Sequence, residues 1–157
     1  MAALPSRLLV STDVGDIGPD VRRLFDDLAR GRPAGRPAPS GECLPLLDVL
    51  ETERDLELVL DLPGVSPDSV RVLVRHGIVV IAGEKERSSL ASGPASFHLV
   101  ERDFGRFVRA VRVHVAIDAA AAQARLADGE LRVVLPKIQD RRGREYLVPI
   151  VRPDATP

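Results

Sequence analysis

Asp128-Gly129-Glu130-Leu131-Arg132-Val133-Val134-Leu135 is the stretch on which the fold turns. Asp-Gly supplies two adjacent residues that tolerate positive φ, which a tight two-residue hairpin requires. Leu131, Val133 and Leu135 then fall on one side of a run with period two. Working outward, the same alternation recurs. Leu56, Leu58 and Leu60 alternate with Glu57 and Asp61, and Val70, Val72 and Val74 alternate with Arg71 and Arg75. These runs predict half-buried antiparallel strands. Ile78 to Ala82 is apolar on both faces and predicts a strand buried in the middle, Phe107 to Val113 adds a β-branched run, and His76-Gly77 predicts a second tight turn. Six or more short strands, with no helix long enough to cross over a parallel sheet, predict an all-β, immunoglobulin-like antiparallel β-sandwich. Ala119 to Ala122 spans barely one turn and is expected to be a loop or a short helical turn.

Three zones separate by composition: an N-terminal arm over 1–43 expected to be disordered and amphipathic, the sandwich over 44–137 and a C-terminal extension with a docking motif over 138–157. In the arm, Val21, Leu24, Phe25 and Leu28 stand at i, i+3, i+4 and i+7, the stripe of a short amphipathic helix that is unstable alone. Gly31 to Gly41 carries three prolines and is expected to be a flexible linker that does not pack. About twenty residues connect Gly83 to Phe107, longer than compact domains usually keep. Ser88 to Pro94 is loop-like and Ser96 to Arg102 strand-like, the pattern of a strand carried on a loop to pair with another subunit's edge. The charged run Asp140 to Glu145 precedes an apolar hexad, Tyr146 to Val151, that lacks a neighbour in sequence.

The chain has 157 residues, enough for one core, and 22 basic against 23 acidic residues, so no field attracts nucleic acid or anionic lipid. Aromatics are 3% and Trp is absent, so Val, Leu, Ile and Ala must build the core. The single Cys43 cannot form an internal disulfide, and Leu8 to Val10 is too short for a signal peptide or membrane span, which makes the cytoplasm the expected compartment. Cys43 reads as an incidental thiol. His76, His98 and His114 stand singly, away from ligand spacing, and read as surface or packing residues. Gly83-Glu84-Lys85 lacks the context of a phosphate loop, and no Gly-x-Ser-x-Gly elbow occurs. No catalytic residue, metal or cofactor is expected.

An ordered set of patches resembles the α-crystallin domain of small heat-shock proteins: Pro45, Asp48-Val49 and Glu51-Thr52; Asp61-Leu62-Pro63-Gly64-Val65; Gly83-Glu84-Lys85; His98 to Arg102; Phe104 to Arg109; Ala124 to Leu131; and Leu135-Pro136-Lys137. Arg23 to Leu28 is similar to the arm of bacterial members. Glu130 departs from the family's usual apolar residue and Ile78 from its Leu, while Val148-Pro149-Ile150 is the valine form of its Ile-x-Ile tail. The resemblance implies an ATP-independent holdase that binds partly unfolded client proteins. It implies dimers by strand exchange through Phe97, His98, Leu99, Val100, Glu101, Arg102 and Arg109, and larger homo-oligomers through Val148, Pro149 and Ile150 docked in a groove of Val72, Val74, Ala124 and Leu126. Alternation points Val148 and Ile150 the same way, and burying both contributes about 3 to 5 kcal/mol before ordering costs.

Arg109 has two readings, snorkelling to solvent or an ion pair with a carboxylate such as Glu101 at the dimer interface, and the motif favours the interface. The stripe Val21, Leu24, Phe25 and Leu28 meets either clients or neighbouring subunits. Two rival functions are an adaptor for another chaperone, which the tail and long loop disfavour, and a small hydrolase, which lacks catalytic groups.

Overall fold

The computed structural model describes residues 15–87, 93–138 and 147. Among them are one helix, α1 (Gly18–Gly31), and seven strands: β1 (Leu47–Glu51), β2 (Asp55–Asp61), β3 (Val70–Arg75), β4 (Ile78–Lys85), β5 (Gly105–Arg112), β6 (Gln123–Ala127) and β7 (Glu130–Pro136). They form a four-stranded sheet, β1-β2-β7-β6, and a three-stranded sheet, β3-β4-β5, with every pairing antiparallel. The expected β-sandwich is the fold.

Register explains the core. Leu56, Leu58 and Leu60 stand opposite Leu135, Val133 and Leu131, so the two alternating runs share one face. Facing them, Val79, Ile81, Phe107 and Val111 project from the second sheet into the same buried cluster. Gly83 stands opposite Phe107, and a Cβ there would lie 2.3 Å from the ring, so the glycine provides the space the ring fills. Both tight turns have the expected backbone: His76 and Gly77 at φ 49° and 71°, Asp128 and Gly129 at 53° and 78°. Ala119–Ala121 is a single 3-10 turn in which the Ala120 and Ala121 amides donate to the Asp118 carboxylate.

Two expectations need correction. Gly31 to Gly41 does not run free: the Cys43 N–H donates to the Arg106 carbonyl and the Arg106 N–H to the Gly41 carbonyl, each at 3.0 Å, beside a parallel bridge from Glu42 to Arg106. Gly105 makes this approach possible, since a Cβ there would lie 2.2 Å from the Gly41 carbonyl carbon. The helix is not loose either. Leu24 and Leu28 are 8% and 4% exposed, with Leu24 set against Val80 and Ala82 of β4 on the sheet face turned away from the core. A helix this short gains its stability from such packing.

Candidate interaction surfaces

The first surface is the outer face of β3-β4-β5. By alternation it carries Leu73 on β3, Ile78, Val80, Ala82 and Glu84 on β4, and Val108 and Ala110 on β5, with Arg71, Arg75, Arg106 and Arg112 towards its edges. The helix lies over this apolar strip, and charges fasten it at both ends. Asp20 accepts from Arg75 at 2.9 Å, and Asp27 accepts from Nε of Arg71 at 2.6 Å. Past the helix, Arg32 reaches both oxygens of the buried Glu84 at 2.6 Å, and Arg36 pairs with Glu86. Arg106 approaches Glu84 at 3.4 Å, and its guanidinium lies 4.8 Å from the centroid of the Phe25 ring. The hydrogen bond from Arg71, then that from Arg30, holds the Asp27 carboxyl below the usual carboxylate range.

Of the stripe, Leu24 and Leu28 are thus buried within the chain, while Val21 and Phe25 are half-buried and line an open groove with Cys43, Leu44, Phe107 and Val108. Burial pushes the Cys43 thiol up, and Asp103 adds to this while Lys85 opposes it. A thiol so held is poorly nucleophilic, as an incidental cysteine is.

The second surface is the β1 edge, which has a strand on one side only. Leu44, Leu46 and Leu50 are exposed along it, at 69%, 72% and 56%. Phe97, Leu99 and Val100 are exposed on the long connection, where residues 93–104 carry no strand, so the strand-like stretch Ser96 to Arg102 has no ladder of its own in the single chain. His98, Glu101 and Arg102 are exposed with them. The base of this connection is fixed by Phe104, whose ring lies 4.5 Å from Arg87, 4.8 Å from Arg102 and 5.4 Å from Lys85. Arg109 shares the inward side of β5 with Phe107, and its Nη1 donates to the Pro45 carbonyl at 2.7 Å, bracing the chain just before β1.

The residues of the expected docking groove fall on two edge strands, one in each sheet. Val72 and Val74 on β3 and Leu126 on β6 are partly buried against the one sandwich core, while Ala124 on β6 is exposed. Val148, Pro149 and Ile150 lie outside the described residues. His76 sits in its turn, and His98 and His114 are exposed. Among the described residues no group of three or more His, Cys, Asp or Glu stands together to hold a metal, and no helix is long and apolar enough to cross a membrane.

Sequence reasoning missed the charged fastening. Its signals were a glutamate closing the apolar run Ile78 to Gly83, and arginines flanking the apolar outward positions of β3 and β5.

Comparison with known proteins bears directly on this architecture. The model of the "Hsp20/alpha crystallin family" matches residues 48–150. "Heat shock protein 16" of Schizosaccharomyces pombe is 31% identical over 131 residues, 82% of this chain and 91% of that protein. The "26.7 kDa heat shock protein, chloroplastic" of Oryza sativa subsp. japonica is 32% identical over 124 residues, which take in 76% of this chain and 52% of that longer protein. A solved small heat-shock protein from Xylella fastidiosa, described as having a distinct high order structure, superposes with a TM-score of 0.59 at 29% identity, over 70% of this chain and all of that one. With two antiparallel sheets in the order described, and a family match over most of the sandwich and beyond it, the chain belongs to the Hsp20/alpha-crystallin family of small heat-shock proteins.

Proposed function

We propose that this protein holds partly unfolded proteins without ATP and without catalysis, and so keeps them from aggregating under stress. The observation that carries this reading is a pair of exposed apolar sets, Leu44, Leu46 and Leu50 at and just before the one-sided β1 edge and Phe97, Leu99 and Val100 on the long connection. Exposed apolar side chains next to open backbone groups suit a partner chain. In the resting state that partner is a second copy, whose segment Phe97 to Arg102 adds to β1, bringing Glu101 of one copy towards Arg109 of the other. Dimers join into larger homo-oligomers when Val148, Pro149 and Ile150 dock against Val72, Val74, Ala124 and Leu126. Each joint is modest and exchangeable, so heating releases subunits and bares apolar surface for clients. The stripe Val21, Leu24, Phe25 and Leu28 joins in client binding when α1 leaves its sheet. The cytoplasm is the setting that goes with this role.

Heating an aggregation-prone enzyme with stoichiometric amounts of the chain should suppress light scattering. Scattering that rises as in the enzyme alone would remove the holdase role.

A further inference from the structure

We infer that the outer face of β3-β4-β5 is a binding trough for acidic amphipathic helical segments of other proteins, and that α1 is its built-in occupant. The strip beneath the helix is apolar. Leu73, Val80, Ala82, Val108 and Ala110 form a floor of small and branched side chains, with Val80 and Ala82 2% and 0% exposed under their cover. A solvent-facing side of a sheet is ordinarily polar. This one is apolar along its middle, with Arg71 and Arg75 standing on the edge strand β3 and the buried Glu84, paired with Arg32 and Arg106, at the end of β4.

The occupant defines the chemistry that fits. Asp20 meets Arg75 and Asp27 meets Arg71, so α1 runs opposite to β3. Seven helical residues span about 10 Å, and the four strand residues from Arg71 to Arg75 span about 13 Å, a difference that flexible arginine side chains absorb. Between the two carboxylates Leu24 packs on Val80 and Ala82, and Leu28, just past Asp27, is buried as well. The matching ligand is therefore a helix with carboxylates two turns apart and two aliphatic residues between and beside them. Apolar contact supplies affinity, and the arginines select for acid. Because α1 fills the trough in the same chain, an outside segment binds in proportion to the fraction of chains whose helix has left. The proposal rests on the holdase reading only for its purpose in the cell, where such segments are a class of client.

The test is a charge exchange in the full chain. A fluorescein-labelled peptide of residues 16–32 is titrated by anisotropy against the wild-type chain and against chains carrying Asp20→Lys with Asp27→Lys, Arg71→Glu with Arg75→Glu, or all four changes. The Asp20→Lys, Asp27→Lys chain expels its own helix and should bind the native peptide roughly tenfold tighter than wild type. The Arg71→Glu, Arg75→Glu chain should refuse the native peptide and take one that itself carries Asp20→Lys and Asp27→Lys. The fourfold variant, with its own helix fastened again, should bind either peptide no better than wild type. Equal affinities across the set would overturn the trough. All four positions lie outside the sandwich core cluster, and the urea midpoint of each variant checks that its sandwich still folds. A second measurement needs no variant of the chain: a photoreactive residue at Leu24 of the peptide should label β3, β4 or β5 of the wild-type chain, and labelling confined to Leu44 to Leu50 would overturn the proposal. Peptide binding that follows this pattern while light scattering is unsuppressed supports the trough and counts against the holdase reading. Suppressed scattering with no peptide binding does the reverse.

Discussion

Strand β4 is buried on both sides, and its two sides are covered in different ways. On the inner side Val79, Ile81 and Gly83 face a second sheet across interlocking leucines, with Phe107 filling the space that Gly83 leaves. On the outer side Val80 and Ala82 are just as dry, yet their cover is a single fourteen-residue helix. Strands that share a ladder separate only if the domain unfolds. A helix tied by one linker can leave while the sandwich stays whole, because ion pairs open to solvent are screened and add little. Equal burial therefore does not mean equal permanence, and what decides is how the covering element is attached.

The largest effect separating the two sides is expected at Phe107. Replacing Phe107 with Ala removes the ring from a fully packed row and should cost about 3 to 5 kcal/mol. The sandwich midpoint in urea, followed by the strand signal in far-ultraviolet circular dichroism, should fall accordingly. A change no larger than that of an outer-face substitution would erase the distinction drawn above.

Leu24→Ala probes the other side. Its cost is capped by the free energy of helix docking, because once α1 detaches nothing further is lost. The urea midpoint of the sandwich should hardly move, while the helical signal at 222 nm falls and trypsin cleavage after Arg22 and Arg23 speeds up roughly tenfold, equivalent to about 1.4 kcal/mol of opening. Parallel losses of helix and sandwich would show that they form a single cooperative unit.

This contrast also explains what could be read from the sequence. Leu56-x-Leu58-x-Leu60 and Leu131-x-Val133-x-Leu135 announce their strands because alternation is local, and the hairpin at Asp128-Gly129 fixes the register of β6 on β7, whereas the pairing of β2 with β7 is a long-range contact that no local rule supplies. Ile78 to Ala82 likewise announces burial on both faces. It says nothing of what provides the cover, since the stripe on α1 lies more than fifty residues from β4 and no local rule joins them. The linker reads as free spacer for a related reason. Arg32 finds Glu84 across 52 positions, and composition alone makes a Pro- and Arg-rich stretch look unpartnered. Ser96 to Arg102 has the composition of a strand, but β propensity cannot say whether a ladder forms within one chain or between two.

The smallest effect is expected from acid, and its sign follows from Asp27. In the docked helix the hydrogen bond from Arg71 holds this carboxyl below its ordinary value of 3.8, whereas a detached helix keeps only the neighbouring Arg30. The docked form therefore binds fewer protons than the detached form just below that value. Docking is fully supported above it and loses support as pH falls through the lower, docked value. The protection of the α1 amides against hydrogen exchange, taken relative to their intrinsic rates, should fall as pH drops below 3.8, with the protection of the β2 and β7 amides unaffected. Asp27→Asn removes the titrating group, so its helix should already be looser at neutral pH and should respond less to acid. Asp20 on Arg75 and Glu84 between Arg32 and Arg106 face the same side of the sheet and are left in place by the substitution. If the two chains gave superimposable acid profiles, the Asp27 to Arg71 contact would hold the helix in place without sensing protons. The removable cover would then owe its hold to Leu24 and Leu28 and the remaining pairs.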